Sequence, residues 1–244
     1  MNRATLMLSL ACISVAGCDP AAPVPPAAAP LASSVGVVTS GPAPSGERGA
    51  PTAAAKKTAR SWNFDSDALG AGPSDFGAEV GKWHVVADDS APSGDKTFAQ
   101  LAISDDDVFN VALVAGTARA DVDLSVKLRA VAGRVDQGGG VVWRARDARN
   151  YYIARYNPLE DNYRVYLVED GRRKMLQSAK LQVAHGAWHR LRVTMVGDQI
   201  TCSLDGTKHL EAHDTTFGQA GRIGLWTKAD AITHFDDLAV SAPR

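Results

Sequence analysis

Asp136-Gln-Gly-Gly-Gly-Val-Val-Trp143-Arg-Ala-Arg146 opens the stretch that decides the fold, and Asn150-Tyr-Tyr-Ile-Ala-Arg-Tyr-Asn157 follows it. After Pro158-Leu-Glu-Asp161 the chain resumes as Asn162-Tyr-Arg-Val-Tyr-Leu-Val168, and Glu169-Asp-Gly171 leads into Arg173-Lys-Met-Leu-Gln-Ser178. These are four short runs rich in Val, Ile, Tyr and Trp, separated by Asn, Asp, Gly and Pro. Such a pattern predicts four consecutive antiparallel strands.

Alternation within these runs predicts which side chains enter the core. Successive residues of a strand point to opposite faces. The expected core face comprises Val141, Trp143, Ala145, Tyr152, Ala154, Tyr156, Tyr163, Val165 and Leu167. The opposite face then carries Arg, Asn and Tyr, which is unusually rich for a solvated surface. A bulge at Gly138–Gly140 would invert this assignment for the first strand only.

Similar short runs continue on both sides of the stretch. Those before it include 83–86, 98–103, 108–113 and 120–128, and those after it include 188–195, 199–204, 222–228 and 234–240. Turn signals recur between them, and no helical period is evident. The sequence therefore predicts an all-β protein, an antiparallel sandwich or barrel.

The N-terminus predicts export rather than part of the fold. An apolar run from Ala4 to Gly17 is too short to remain as a membrane span and indicates a signal peptide, 1–17. Val15-Ala16-Gly17-Cys18 resembles the lipobox of bacterial lipoproteins, which implies a lipid on Cys18. The alternative is an ordinary signal peptide with a chance cysteine. Residues 18–60, rich in Ala and Pro, are expected to form a disordered tether before a domain at 61–244.

These features predict a bacterial cell-envelope protein that contacts the membrane only through its lipid anchor, with the domain in the periplasm or outside the cell. The formal net charge of −1 gives no electrostatic reason to expect a nucleic-acid partner.

Five motifs resemble the concanavalin-A-like lectin/glucanase superfamily of jelly rolls. They are Trp62-x-Phe-Asp65, Trp188-x-x-Leu-x-Val, Leu204-Asp-Gly206, Gly221-Arg-Ile-Gly-Leu-Trp226 and Phe235-Asp-Asp-Leu. Within that superfamily the chain looks closest to the laminin-G-like and 3-keto-disaccharide hydrolase branch. The resemblance covers nearly all of 61–244 and implies a two-sheet jelly-roll sandwich whose concave sheet holds the ligand groove. It is specific for fold and not for activity, since lectins, hydrolases and adhesion domains share this fold.

Strand alternation brings one set of side chains to the expected groove face: Arg155, Asn157, Arg164, Tyr166, Trp226 and Lys228. A flat aromatic ring suits the apolar face of a sugar, and planar Arg and Asn groups bond hydroxyl pairs. We therefore predict a glycan or other polyhydroxyl ligand, with Trp226 as an exposed anchor. The alternatives are a buried Trp226 and arginines that merely face solvent.

Acidic residues at the two ends of the chain suggest calcium. In the jelly rolls that this chain resembles, the first and last strands are neighbours, so Asp65, Asp236 and Asp237, with Asp67, would meet there. Carboxylate oxygens are the ligands that Ca²⁺ prefers. The alternative is that these aspartates belong to surface turns.

The sequence does not assign catalytic residues. Sugar-cleaving jelly rolls carry a Glu-x-Asp-x-x-Glu run that supplies an acid and a base or nucleophile, and this chain has none. Asp136, Glu160 or Asp161 would be the carboxylates available beside Arg155 and Arg164. Carbohydrate binding is therefore the leading function. A hydrolase or lyase of the 3-keto-disaccharide type and a protein-interaction domain are the rivals.

Overall fold

The computed structural model describes residues 59–244, which form strands, turns and loops without a helix. Cys18, the signal peptide and nearly all of the tether lie outside the described residues. Within the described range no helix is long and apolar enough to cross a bilayer. The strands are β1 (Arg60–Trp62), β2 (Phe76–Val80), β3 (Trp83–Ala87), β4 (Lys96–Gln100), β5 (Phe109–Val114), β6 (Val122–Ala132), β7 (Gly139–Asp147), β8 (Asn150–Asn157), β9 (Asn162–Glu169), β10 (Arg172–Lys180), β11 (Trp188–Val196), β12 (Gln199–Leu204), β13 (Thr207–His213), β14 (Arg222–Lys228) and β15 (Ile232–Ser241).

Two antiparallel sheets stack as a sandwich, which confirms the predicted fold class. The seven-stranded sheet has the order β10-β9-β8-β7-β14-β5-β2. The eight-stranded sheet has the order β13-β12-β11-β6-β15-β4-β3, with β1 also paired to β15. The stretch from Asp136 to Ser178 therefore supplies four neighbouring strands of one sheet. The pairing of β1 with β15 brings the first and last strands together.

The core between the sheets follows the predicted alternation on β8, β9 and β14. Its members from these strands are Tyr152, Ala154, Tyr156, Tyr163, Val165, Leu167, Ile223 and Leu225. The facing strands of the other sheet contribute alternate aliphatic residues, including Val122, Leu124, Val126 and Leu128 of β6. Burying apolar side chains from both sheets is the main driving force for this arrangement.

Alternation on β7 changes partway along the strand, and this corrects one prediction. Val141 and Trp143 lie in the core as expected, but Ala145 lies on the opposite face with Val142. The cause is a bulge: Arg144 has a φ of 48°, and the β7–β8 register shifts between Trp143 and Asp147. The inversion thus occurs after Trp143 and not at the three glycines.

The glycines at the start of β7 and just before it accommodate close approach by the neighbouring strand. A Cβ at Gly140 would lie 1.8 Å from the carbonyl oxygen of Ala154, and one at Gly138 would lie 2.4 Å from that of Tyr156. Both oxygens belong to the backbone of β8. The glycine run is therefore explained by strand packing without a ligand.

Candidate functional site

All six predicted groove residues lie on the face of the seven-stranded sheet that points away from the core. The register aligns Ser178, Arg164, Arg155, Gly140 and Trp226 in one row across β10, β9, β8, β7 and β14. Asn157 is two positions from Arg155 on β8, Tyr166 two from Arg164 on β9, and Lys228 two from Trp226 on β14, so they share this face. Whether these residues bind a ligand remains a prediction.

The face is concave. The guanidinium carbon of Arg173, on β10, lies 5.5 Å from the ring centre of Phe109, on β5. Five strand intervals separate β10 from β5, which would be about 24 Å in a flat sheet. Two side chains cannot span that distance, so the sheet must curl around this face. We call it the concave face.

Aromatic side chains fill one part of the concave face, which we call the aromatic cluster. Its buried members are Val111, Leu113, Val142, Ala145, Tyr151, Ile153, Tyr166, Val168 and Trp226, with Phe109 at its edge. The indole N–H of Trp226 donates to the Tyr151 hydroxyl at 3.0 Å, and its ring packs 5.4 Å from Phe109. Trp226 is 1% exposed and Tyr166 is 4% exposed.

The prediction of an open face with Trp226 as an exposed anchor is therefore wrong. A large ring on a strongly curved sheet folds onto the apolar side chains beside it, because this removes more surface from water than projecting outward would. Strand alternation fixes the face on which a side chain lies. It cannot show whether that face is covered.

The polar end of the concave face is organised around Arg155, whose side chain is 1% exposed. Its two terminal nitrogens meet different carboxylates: Nη2 lies 3.1 Å from Glu160, and Nη1 lies 3.7 Å from Asp136. Glu160 also forms an ion pair with Arg164 at 3.2 Å and accepts a hydrogen bond from the Asn162 side-chain amide at 2.8 Å. We use polar end for these five residues.

The pKa values of the two carboxylates of the polar end are shifted in opposite directions. Burial raises the pKa of Asp136, although Arg155 and Lys228 oppose the shift. For Glu160, burial alone would raise the pKa, but the Asn162 hydrogen bond and the Arg155 charge together hold it below its ordinary value. Glu160 thus stays ionised at lower pH than Asp136 does.

Several buried donors and acceptors in the polar end and on the neighbouring Arg173 lack a hydrogen-bond partner. These atoms are Arg155 Nε and Nη1, Asn162 Oδ1 and Arg173 Nη1. Unpaired buried polar atoms are uncommon in folded proteins, and hydrogen bonds to a bound ligand would satisfy them.

Sequence reasoning missed Arg173. Its guanidinium carbon lies 4.4 Å from the ring centre of Tyr166, and burial together with nearby Arg155 lowers its pKa. A signal for it existed. The Asp170–Gly171 turn pairs Arg173 with Val168, which shares the concave face.

Two of the predicted ligand-binding side chains, those of Asn157 and Lys228, bond to other groups of the protein. The Asn157 oxygen accepts from the backbone N–H groups of Leu159 and Glu160, and its nitrogen donates to Asp136 at 2.9 Å. Asn157 therefore shapes the turn that carries Glu160. Lys228 pairs with Asp106 and lies 3.8 Å from Asp136.

Asp161 does not join the two carboxylates of the polar end. It has a φ of 51°, and its side chain accepts from Gln182 at 3.4 Å. Its backbone oxygen also accepts from Leu181. Asp161 belongs to the turn, leaving Asp136 and Glu160 as the acids of this site.

The acidic residues at the chain ends lie around the Ser93–Gly94 turn. Both oxygens of Asp236 accept from Ser93, and Asp237 accepts from the same hydroxyl at 2.9 Å. A Cβ at Gly94 would lie 1.9 Å from Asp65 Oδ1, so Asp65 borders the other side of the turn. Asp65 Oδ1 is buried without a hydrogen-bond partner. The backbone oxygens of Asp65 and Asp67 both accept hydrogen bonds from the Lys96 ammonium.

Burial, together with neighbouring Asp237, raises the pKa of Asp236. Lys127 neutralises Asp237 at 2.8 Å. Within residues 59–244 no group of three or more His, Cys, Asp or Glu side chains is arranged to hold a metal. A calcium ion here would need backbone or hydroxyl oxygens in addition to the predicted carboxylates, and the site remains a prediction.

Comparisons with known proteins agree with this architecture. The carbohydrate binding module CBM66 from Bacillus subtilis superimposes with a TM-score of 0.59 at 18% identity, covering 69% of this chain and 96% of its own. A Bacillus subtilis protein of unknown function with a galectin-like fold gives a TM-score of 0.52 at 13% identity, covering 70% and 91%. At these identities the likeness concerns the fold alone. No curated protein matches the chain.

One family model matches the sequence itself. The model of the galactocerebrosidase C-terminal lectin domain matches residues 116–243, which begin just before β6 and end just after β15. The matched segment contains all the residues of the polar end and spans more than half of the chain. The chain therefore belongs to the family of the galactocerebrosidase C-terminal lectin domain.

Proposed function

We propose that the domain binds a carbohydrate at the polar end of the concave face. The observation that carries this proposal is the set of unpaired polar atoms on Arg155, Asn162 and Arg173. Planar guanidinium and amide groups with free positions match the paired hydroxyls of a sugar. The family's lectin description and the carbohydrate-binding module among the structural neighbours support the same class of ligand.

Solvent reaches this end through Arg164 and Glu160, whose side chains are 30% and 42% exposed. The buried Arg155 lies behind them. A sugar would first meet Arg164 and Glu160 and then use the free donors of Arg155. The ligand is thus expected to be small or to present a chain end, because the aromatic cluster closes the rest of the face.

Glycan-array screening of the domain from Ser61 would identify the sugar. Arg164→Ala should then weaken its binding by about 1–3 kcal/mol, the usual cost of losing an interface anchor. Arg164 is partly exposed and its ion pair with Glu160 contributes little to stability, so the melting temperature should change little. Calorimetry on both proteins would measure affinity.

Arg172→Ala is the matched control, since Arg172 is exposed on the edge strand β10. Equal loss of affinity in both variants would show a general charge effect. Unchanged binding in Arg164→Ala would contradict a site at the polar end.

A hydrolase or lyase acting on sugars is the second candidate, and the opposite pKa shifts of Asp136 and Glu160 favour it. Such a reaction requires one carboxyl group with a raised pKa, which acts as the acid, and a second with a lowered pKa, which stays ionised. Asp136→Asn would then abolish turnover while binding is retained. We expect no turnover of ordinary glucans by the unmodified domain, because Arg155 lies between the two acids and engages both.

We further propose that calcium stabilises the contact between the chain ends, where Asp65, Asp236 and Asp237 surround the Ser93–Gly94 turn. An ion bound only by the folded state raises the melting temperature through mass action. Thermal melts in excess Ca²⁺ and in chelator should therefore differ, and Asp236→Asn should remove the difference. Identical curves for the unmodified domain would contradict the site.

For the cellular setting, we propose a lipoprotein that displays this domain from the envelope. Cys18→Ser should abolish acylation and release soluble protein. Fractionation with labelled palmitate measures both effects. A variant that remains in membranes and still incorporates the label would contradict lipidation at Cys18.

A further inference from the structure

The outer face of the eight-stranded sheet, opposite the concave face, carries a depression that the proposed function does not use. Two adjoining cavities of about 460 and 530 Å³ form it, and they share Ser61, Ser125, Arg190 and Ala239 in their walls. Neither cavity includes any residue of the polar end. We call this depression the basic trough.

Strand register explains the shape of the trough. Ser61 is paired with Ala239, Ala239 with Ser125 and Ser125 with Arg192, so this row crosses β1, β15, β6 and β11. Three strand intervals correspond to about 14 Å. Small side chains form the floor at Ser61, Ala239 and Ser125, and longer charged side chains rise on both sides.

Positive charge dominates the walls. The cationic lining residues are Arg60, Lys127, Arg190, Arg192 and Arg244, while Asp123 and Asp237 are the carboxylates of the two linings. Asp123 is held by Arg192 in a two-point contact at 2.7 and 2.6 Å. Lys127 pairs with Asp237, and Arg60 pairs with Asp75 outside the lining, each at 2.8 Å. Cationic side chains still outnumber carboxylates in the lining, and the local positive charge comes from those without an ion pair among the described residues, Arg190 foremost.

Arg190 is the central cation of the trough. It lines both cavities and is exposed. Among the described residues its guanidinium contacts the Ser125 hydroxyl at 3.4 Å and forms no ion pair with a carboxylate. Its backbone N–H is not available to a ligand, because it donates to the Asp205 carboxylate at 2.8 Å. Because the guanidinium has no carboxylate partner among the described residues, its other N–H groups can be offered to an incoming anion.

We propose that the basic trough binds an anionic oligosaccharide, with a carboxylate or sulfate group of the sugar on Arg190. Hydroxyl groups on the trough floor suit the neutral part of such a ligand, and the bounded walls suit a chain that lies across the strands. The cationic excess is local, which disfavours nucleic acid as the ligand. The trough and the polar end would then recognise different parts or kinds of glycan.

Calorimetric titration of the full chain, which retains Ala59 and Arg60 of the trough wall, with oligogalacturonate, dextran sulfate and neutral dextran tests this proposal. We expect at least one of the two anionic probes to bind and neutral dextran not to bind. Binding should weaken as salt is added, because the contact is electrostatic. Arg190→Ala should weaken binding by about tenfold, in line with the loss of one charge-assisted contact.

Arg172→Ala removes the same charge from the other sheet and should bind the anionic probe normally. Melting curves verify that both variants fold. Failure of both anionic probes to bind, unchanged binding in Arg190→Ala, or equal losses in both variants would overturn the proposal. Stronger binding to anionic lipid vesicles than to either probe, lost in Arg190→Ala, would also overturn it and assign the trough to a lipid headgroup.

These measurements are separable from the test of the polar end. Arg190→Ala should keep its affinity for a sugar found on the glycan array, and Arg164→Ala should keep its affinity for the anionic probe. A single ligand whose binding is lost in both variants would contradict two separate sites.

Discussion

Trp226→Ala is expected to lower the free energy of unfolding by about 3–5 kcal/mol, the usual cost of deleting a large buried aromatic side chain. Trp226 is 1% exposed, contacts Phe109 and donates to the Tyr151 hydroxyl. Alanine would leave a cavity in the aromatic cluster and an unsatisfied hydroxyl beside it. Urea denaturation measures the change.

Trp226→Phe is the matched control, because it retains most of the ring volume and loses the hydrogen bond to Tyr151. Its cost should be about 1 kcal/mol, as for one hydrogen bond. If Trp226→Ala instead keeps full stability and only weakens sugar binding, the ring contacts ligand and the aromatic cluster is an open groove.

Arg144→Ala is expected to lower the free energy of unfolding by about 3–5 kcal/mol. The Arg144 side chain is 2% exposed, and its guanidinium donates to the backbone oxygens of Ala120, Phe217 and Gly197. Three separate loops meet at this side chain. Alanine would leave their carbonyl groups without this donor in a site that excludes water.

Arg146→Ala provides the comparison for this variant. Arg146 is exposed two residues further along β7 and contacts the ring of Phe217 at 4.6 Å. Removing it should cost well under 1 kcal/mol, because exposed cation–π contacts are weak. If the free energy of unfolding falls as little in Arg144→Ala as in Arg146→Ala, the three carbonyl contacts of Arg144 do not stabilise the fold.

The two proposed sites use charge in different ways. At the polar end, Arg155 is buried and shared between Asp136 and Glu160, so its remaining donors are fixed in direction. Such a site selects a ligand by geometry. In the basic trough, Arg190 is exposed, and its guanidinium contacts the Ser125 hydroxyl but no carboxylate among the described residues, so it attracts anions over a wider range of poses. Added salt should therefore weaken ligand binding at the trough more than at the polar end.

Much of the concave face could be predicted from strand alternation. Strand alternation assigned Arg155, Arg164 and Trp226 to one face because β8, β9 and β14 are regular and each has an apolar face that must enter the core. The prediction failed for Ala145, because Arg144 adopts a positive φ and inserts a bulge. An arginine carries no local signal for this conformation. It is maintained by loop carbonyls that are distant in sequence.

The sequence by itself determined the antiparallel strands and the inward and outward faces of β8, β9 and β14, because these depend on a two-residue period and on local turn residues. This pattern is compatible with a sandwich or a barrel, and the resemblance to jelly rolls indicated the sandwich. Only the tertiary structure decided that Trp226 is covered, that Arg155 lies between Asp136 and Glu160, and that Ser61, Ala239 and Ser125 form one row. Sheet curvature and the pairing of β1 with β15 produce these arrangements. Both arise from packing two sheets against each other. This packing brings together residues that are far apart in the chain, so a local sequence pattern cannot predict it.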